Sequence, residues 1–221
     1  MKKYILLVAM VVSVFMAQAQ SHKSKFGFRA GLSSSGYYGA DAKTYHPYYP
    51  NYGGTNKLAF TGGFYVNSMI SDFFWIKTEF YFSNKGMTLN FDSADVHKKL
   101  NFNAYYIECM PVLPAVHFKG FQLFAGPAVG FAVSSNYKVY NANSNKVETK
   151  VDTEMDNYNR LDIGIMAGFE YEAPFGLNVG IRKNTGLSSI IDSSTNGGTK
   201  KSWYNNVWMF TIGYTIGRNA D

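Results

Sequence analysis

Arg160-Leu161-Asp162-Ile163-Gly164-Ile165-Met166-Ala167-Gly168-Phe169-Glu170 decides the fold. Leu161, Ile163, Ile165, Ala167 and Phe169 share one parity, while Arg160, Asp162, Gly164, Gly168 and Glu170 share the other. A period of two is the period of a β-strand, whose successive side chains point to opposite faces. Six further segments alternate in the same way. Phe26, Phe28, Ala30 and Leu32 oppose Gly27, Arg29 and Gly31. Phe74, Ile76, Phe80 and Phe82 oppose Lys77, Glu79 and Ser83. Leu177, Val179 and Ile181 oppose Asn178, Gly180 and Arg182. The segments at 58–67, 121–134 and 208–216 repeat the pattern. An eighth, at 103–116, is irregular: Ile107, Cys109 and Leu113 oppose Tyr106 and Glu108, then the order blurs. Pro111 and Pro114 each lack a ladder donor, which predicts a bulge there.

The connections alternate too. Three are short: 68–72, 117–120 and 173–176. Four are long and polar: 34–57, 84–102, 135–158 and 186–202. Strict long-short alternation puts every long connection at one end of the sheet, as in transmembrane barrels with short periplasmic turns and longer extracellular loops. The expectation is an all-β, eight-stranded, antiparallel, up-and-down transmembrane β-barrel in the outer membrane. Its Phe, Leu, Ile and Val face would meet lipid. Its other face carries Arg29, Lys77, Glu79, Glu108, Arg160, Asp162, Glu170 and Arg182, four bases and four acids that could pair across a narrow lumen. Eight strands leave an interior just wide enough for side chains to fill it. Phe73, Phe74, Trp75, Phe121, Tyr171, Trp203 and Tyr204 are placed for interfacial aromatic girdles. A soluble lipocalin-like binder is the alternative architecture, with the two faces exchanged.

Met1-Lys2-Lys3, an apolar run from Tyr4 to Phe15 and the small-x-small Ala17-Gln18-Ala19 read as a secretory signal peptide over 1–19, leaving 20–221 as the barrel domain. Of 221 residues only 16% are charged and 17% are aromatic, so the chain is neither disordered nor highly solvated. One cysteine excludes a disulfide framework. Loss of Lys2 and Lys3 lowers the net charge from +6 to +4, too mild to argue for nucleic acid.

Several short motifs occur in order along the chain. Phe26-Gly27-Phe28-Arg29-Ala30-Gly31 opens the mature segment; Glu79-Phe80-Tyr81-Phe82-Ser83-Asn84-Lys85-Gly86 follows; then come Tyr106-Ile107-Glu108 with Pro111, and Leu123-Phe124-Ala125-Gly126-Pro127. Together they resemble the PorT-like outer-membrane β-barrel family across the mature chain. The resemblance implies an outer-membrane barrel, with some relatives taking part in secretion or gliding, and it transfers no catalytic residue, cofactor or ligand.

No catalytic, metal or cofactor site is expected. His22, His46, His97 and His117 share no ligand spacing. A lipid-modifying barrel enzyme would have to use His97 with Asp92, Ser93 or Asp95, neighbours on one polar connection. The first long connection is rich in tyrosine: Tyr37, Tyr38, Tyr45, Tyr48, Tyr49 and Tyr52. Tyrosine gives large amphipathic contact area at low entropic cost, so this segment is either a contact surface for an extracellular protein or glycan or a lid over the barrel. Expected partners are outer-membrane lipid and the barrel-assembly machinery during insertion, and no nucleic acid. The expected role is structural or surface recognition; an accessory of an envelope secretion or assembly complex is the alternative.

Overall fold

The computed structural model describes residues 24–43, 54–93, 96–141, 146–153, 159–191 and 202–216. Among the described residues nine strands follow one another: β1 (Ser24–Tyr38), β2 (Gly54–Met69), β3 (Phe74–Ser93), β4 (Val96–Phe118), β5 (Phe121–Asn141), β6 (Val147–Thr153), β7 (Leu161–Glu172), β8 (Leu177–Gly186) and β9 (Tyr204–Ile216). All pairings are antiparallel. Each strand pairs with its successor from β1 to β5; β5 pairs β7, β7 pairs β8, β8 pairs β9, and β9 returns to β1. That closes a ring of eight, so among the described residues the one strand paired on a single side is β6. β6 is the ninth strand, and it takes over from β7 along the far end of β5: Phe121–Phe131 pairs β7, whereas Ser135–Tyr140 pairs β6.

Alternation sorts the side chains as a barrel in lipid requires. Phe28, Leu32, Leu58, Phe60, Phe82, Ile107, Leu123, Ile165, Phe169, Phe210 and Ile212 are exposed on the outside. The opposite parity is buried and forms the core, which is the lumen itself. The core is mixed: ions and amides share it with an apolar cluster of Trp75, Tyr81, Met110, Leu113, Phe124, Met166 and Met209.

Three features depart from the sequence-based expectation. The polar stretches 84–102 and 135–158 are largely strand rather than loop, because β3–β4 and β5–β6 continue as hairpins beyond the apolar belt. Strand pairing needs only backbone donors and acceptors, so a polar two-sided ribbon can extend into water. The expected bulge in β4 lies where register shifts occur, opposite Lys77/Glu79 on β3 and between Cys109 and Ala115. It inverts the parity: Glu108 and Met110 face inward, then Leu113 and Ala115 do. Leu113, placed with Ile107 by simple alternation, is therefore an interior residue. Trp75 is not a girdle residue either. It is 2% exposed and sits in the lumen, whereas Phe73, Phe118, Phe121 and Phe175 lie exposed at the short-turn end.

Candidate functional site: the charged interior

The ion-paired interior charges come from β1, β3, β4, β7 and β8, each on the parity that the ring turns inward; Lys57 of β2 is a further buried cation, donating to Asn84 Oδ1 at 2.5 Å. The paired charges form two tiers. In the tier nearer the short turns, Glu170 accepts from Arg29 Nη1 at 2.6 Å, from Lys77 Nζ at 2.9 Å and from Arg182 Nη2. Glu79 accepts from Arg29 Nη1 at 3.1 Å, from Arg182 Nε at 3.2 Å and from the Tyr81 hydroxyl at 3.1 Å. Arg29 lies 3.7 Å above the Tyr65 ring, Lys77 also donates to Gln122 Oε1 at 2.8 Å, and Arg182 Nη1 to Thr211 at 2.7 Å. This tier has three cations and two carboxylates.

The second tier, nearer the long hairpins, is centred on Lys85. Its ammonium bridges Glu108 at 2.6 Å and Asp162 at 2.8 Å. Asn184 and the Ser83 hydroxyl donate to Glu108, and Asn205 Nδ2 donates to Asp162 Oδ2 at 2.8 Å. One cation here faces two carboxylates, so the two tiers together balance at four against four. All eight groups are at most 3% exposed. Burying an ion costs several kcal/mol even after relaxation, which only close pairing and saturated hydrogen bonding offset. Multiply shared carboxylates such as Glu170 supply the close pairing, while Arg29 Nε and Nη2 and Asp162 Oδ1 stay buried without a hydrogen-bond partner.

Seven of the eight residues expected in the lumen lie in this cluster: Arg29, Lys77, Glu79, Glu108, Asp162, Glu170 and Arg182. Arg160 does not. It precedes β7 and is exposed, because the strand begins one residue later, at Leu161. Lys85 takes the fourth basic position instead. Its signal was the unbroken odd parity Lys77, Glu79, Tyr81, Ser83, Lys85, which runs past the point where β3 was expected to stop.

At the long-loop end, Tyr37 and Tyr38 belong to β1 and are half-buried. Tyr37 packs edge-on to Trp203 at 5.4 Å, and the Tyr38 hydroxyl donates to the Gly186 carbonyl at 2.5 Å. Tyr45, Tyr48, Tyr49 and Tyr52 lie outside the described residues, as does the signal segment 1–19; so does the geometry that a His97 triad with Asp92, Ser93 or Asp95 would need. The β5–β6 hairpin is braced from β4: Lys98 Nζ lies 3.1 Å from Glu148, and Asn141 Nδ2 donates to the same side chain at 3.1 Å. These contacts hold the Glu148 carboxyl below its ordinary range. Among the described residues, no group of three or more His, Cys, Asp or Glu side chains is placed to hold a metal ion.

A family model described as outer membrane protein beta-barrel domain matches residues 16–192. Solved structures of outer-membrane and surface proteins match the chain at low identity. Ail, the attachment invasion locus protein of Yersinia pestis, superposes with a TM-score of 0.45 at 11% identity, covering 88% of this chain and 99% of that one. Neisserial surface protein A gives 0.44 at 9%, covering 86% and 96%. OprG from Pseudomonas aeruginosa gives 0.38 at 14%, covering 90% and 99%. No curated protein sequence matches the chain.

Proposed function

The chain belongs to the outer membrane protein beta-barrel domain family, and from that premise we propose that it is a closed, non-conducting barrel that displays recognition hairpins at the cell surface, without catalysis. The observation that carries this reading is the occupied lumen. Arg29, Lys77, Glu79, Glu170 and Arg182 are at most 2% exposed and tie β1, β3, β7 and β8 together across the bore. An ion entering such a bore would have to displace fixed pairs whose combined attraction exceeds what it could offer. What remains for function is the surface. The β3–β4 and β5–β6 ribbons extend beyond the apolar belt as paired strands, a better platform for a protein or glycan partner than a free loop. In this reading residues 1–19 act as the export signal and the barrel-assembly machinery inserts the mature chain, and the resemblance of the motifs around Glu79–Gly86 and Glu108–Pro111 to the PorT-like branch supports a place beside it.

The test is single-channel recording in planar bilayers, paired with surface labelling of intact cells at a tag inserted between Ser93 and Val96. The reading expects no conductance steps and full labelling. Sustained ohmic steps from the wild-type protein would overturn it.

A further inference from the structure

The ring leaves β6 half-paired. β5 hydrogen-bonds one side of it through Ser135–Tyr140, and among the described residues no strand takes the other side. Successive residues of an antiparallel strand point their backbone groups to alternate sides, so every second residue of Val147–Thr153 turns a donor and an acceptor to the free side. Such an edge is a template for a further strand. Every side chain from Lys146 to Asp152 is exposed, the valines included: Val147 is 50% and Val151 36% exposed.

Parity sorts these side chains. Val147, Thr149 and Val151 share one face; Lys146, Glu148, Lys150 and Asp152 share the other, alternating in sign. Opposed residues in an antiparallel ladder both point toward the partner strand or both point away. Two identical strands can therefore meet only in registers centred on a residue. Centred on Glu148, Lys150 or Asp152, a charge meets its own copy. Centred on Thr149, Glu148 meets Lys150 and Lys146 meets Asp152, each twice, while Val147 meets Val151. Centred on Val151, only Lys150 and Asp152 match. Opposite charges placed across a ladder stabilise it and like charges destabilise it, which selects Thr149 as the centre. Lys150 also faces Lys138 across the β5 pairing, so an acid on its free side offsets a like charge.

We propose that β6 pairs antiparallel with β6 of a second copy of this chain, in the register centred on Thr149, and that this copy sits in a facing membrane. The proposal rests on the display reading above and names its partner. The facing membrane follows from symmetry. Identical antiparallel strands of one sheet are related by a two-fold axis perpendicular to that sheet. β5 runs as one strand from the wall, where it pairs β7, into the ribbon, where it pairs β6. The perpendicular to a barrel wall lies in the membrane plane, so a half-turn about it inverts the second barrel. Ladder hydrogen bonds supply affinity and the alternating charges supply specificity. Each contact is small, and arrays of copies on two surfaces add them together.

The test uses two populations of intact cells displaying the full chain, each population with its own tag. Lys150→Glu leaves acids at both 148 and 150, whereas Glu148→Lys leaves lysines at both. Each variant alone should cluster cells about tenfold less than wild type. A mixture of the two should cluster like wild type, because every acid then meets a lysine. In a Cys109→Ala background, Thr149→Cys should form disulfides between differently tagged chains, since directly opposed Cα atoms lie within disulfide reach. Clustering that the mixture fails to restore would overturn the pairing. Dimers confined to one tag would overturn the facing-membrane geometry, and preferential cross-linking through Val151→Cys would overturn the register. If a membrane-impermeant maleimide labels the thiol at 149 fully and wild-type cells do not cluster, this inference fails and the display reading stands. A thiol at 149 that the reagent cannot reach would sink both.

Discussion

Glu170→Gln is the sharpest perturbation of this barrel, because one carboxylate serves three buried cations. The substitution keeps the shape of the side chain and its acceptor oxygen but removes the charge. Arg29, Lys77 and Arg182 then face Glu79 as the remaining carboxylate of their tier. At 2.6 and 2.9 Å, with an effective dielectric near 20, the Arg29 and Lys77 contacts are each worth about 6 kcal/mol before desolvation is counted. The part of this lost when a buried ion loses its partner is about 3–5 kcal/mol. A loss of about 4 kcal/mol, at a urea slope near 2 kcal/mol/M, moves the unfolding midpoint down by about 2 M. The assay is equilibrium urea unfolding in phospholipid vesicles, followed by tryptophan fluorescence and by the mobility difference between folded and unfolded forms on gels. A midpoint within about 0.5 M of wild type would refute the claim that the interior pairs hold the ring closed.

Three more predictions test other parts of the reading. Lys85→Met strands Glu108 and Asp162 together and should cost about 3–5 kcal/mol, whereas Arg160→Ala, at an exposed site, should stay within about 0.5 kcal/mol; the same urea assay separates them. Gly168→Ala would put a methyl group 2.5 Å from the Phe124 ring and 2.9 Å from Arg182 Cγ. Overpacking of this kind should cost about 1–3 kcal/mol, and an unchanged unfolding midpoint would show that the lumen is less tightly filled than these distances imply. The depressed Glu148 carboxyl contributes its bracing above the ordinary carboxylate range and loses it as pH falls through the lowered value. A carboxyl-carbon NMR titration should therefore place its midpoint below 4.5, and Lys98→Gln should move it upward; a wild-type midpoint at or above 4.5 would contradict the bracing.

Periodicity made the barrel legible because membrane and lumen impose opposite demands on alternate residues. Leu161 to Phe169 show this directly: lipid can accept only one parity of that stretch. The same rule located seven of the eight ion-paired interior residues, since a charge on the lumen parity of a strand is turned into the bore. It failed where the strand itself deviated. At Pro111 a bulge shifts the ladder by one residue, and Leu113 moves from the expected outer face to the core. At Trp75 an aromatic near a strand end resembled a girdle residue, but its parity matches Lys77 and it turns inward.

The sequence by itself determined the period, the number of ring positions and which parity meets lipid, because these follow from local alternation and the hydrophobic effect alone. Only the tertiary structure decided which ions pair. Arg29 meets Glu170 across 141 positions of chain, and Lys85 meets Asp162 across 77. Closure of the ring sets those distances, so strand order, register and bulges must all be in place before any partner can be named. The exchange of Arg160 for Lys85 has the same origin: one residue of strand length at β7 and ten at β3 decide which charge lies inside the bore and which lies outside it.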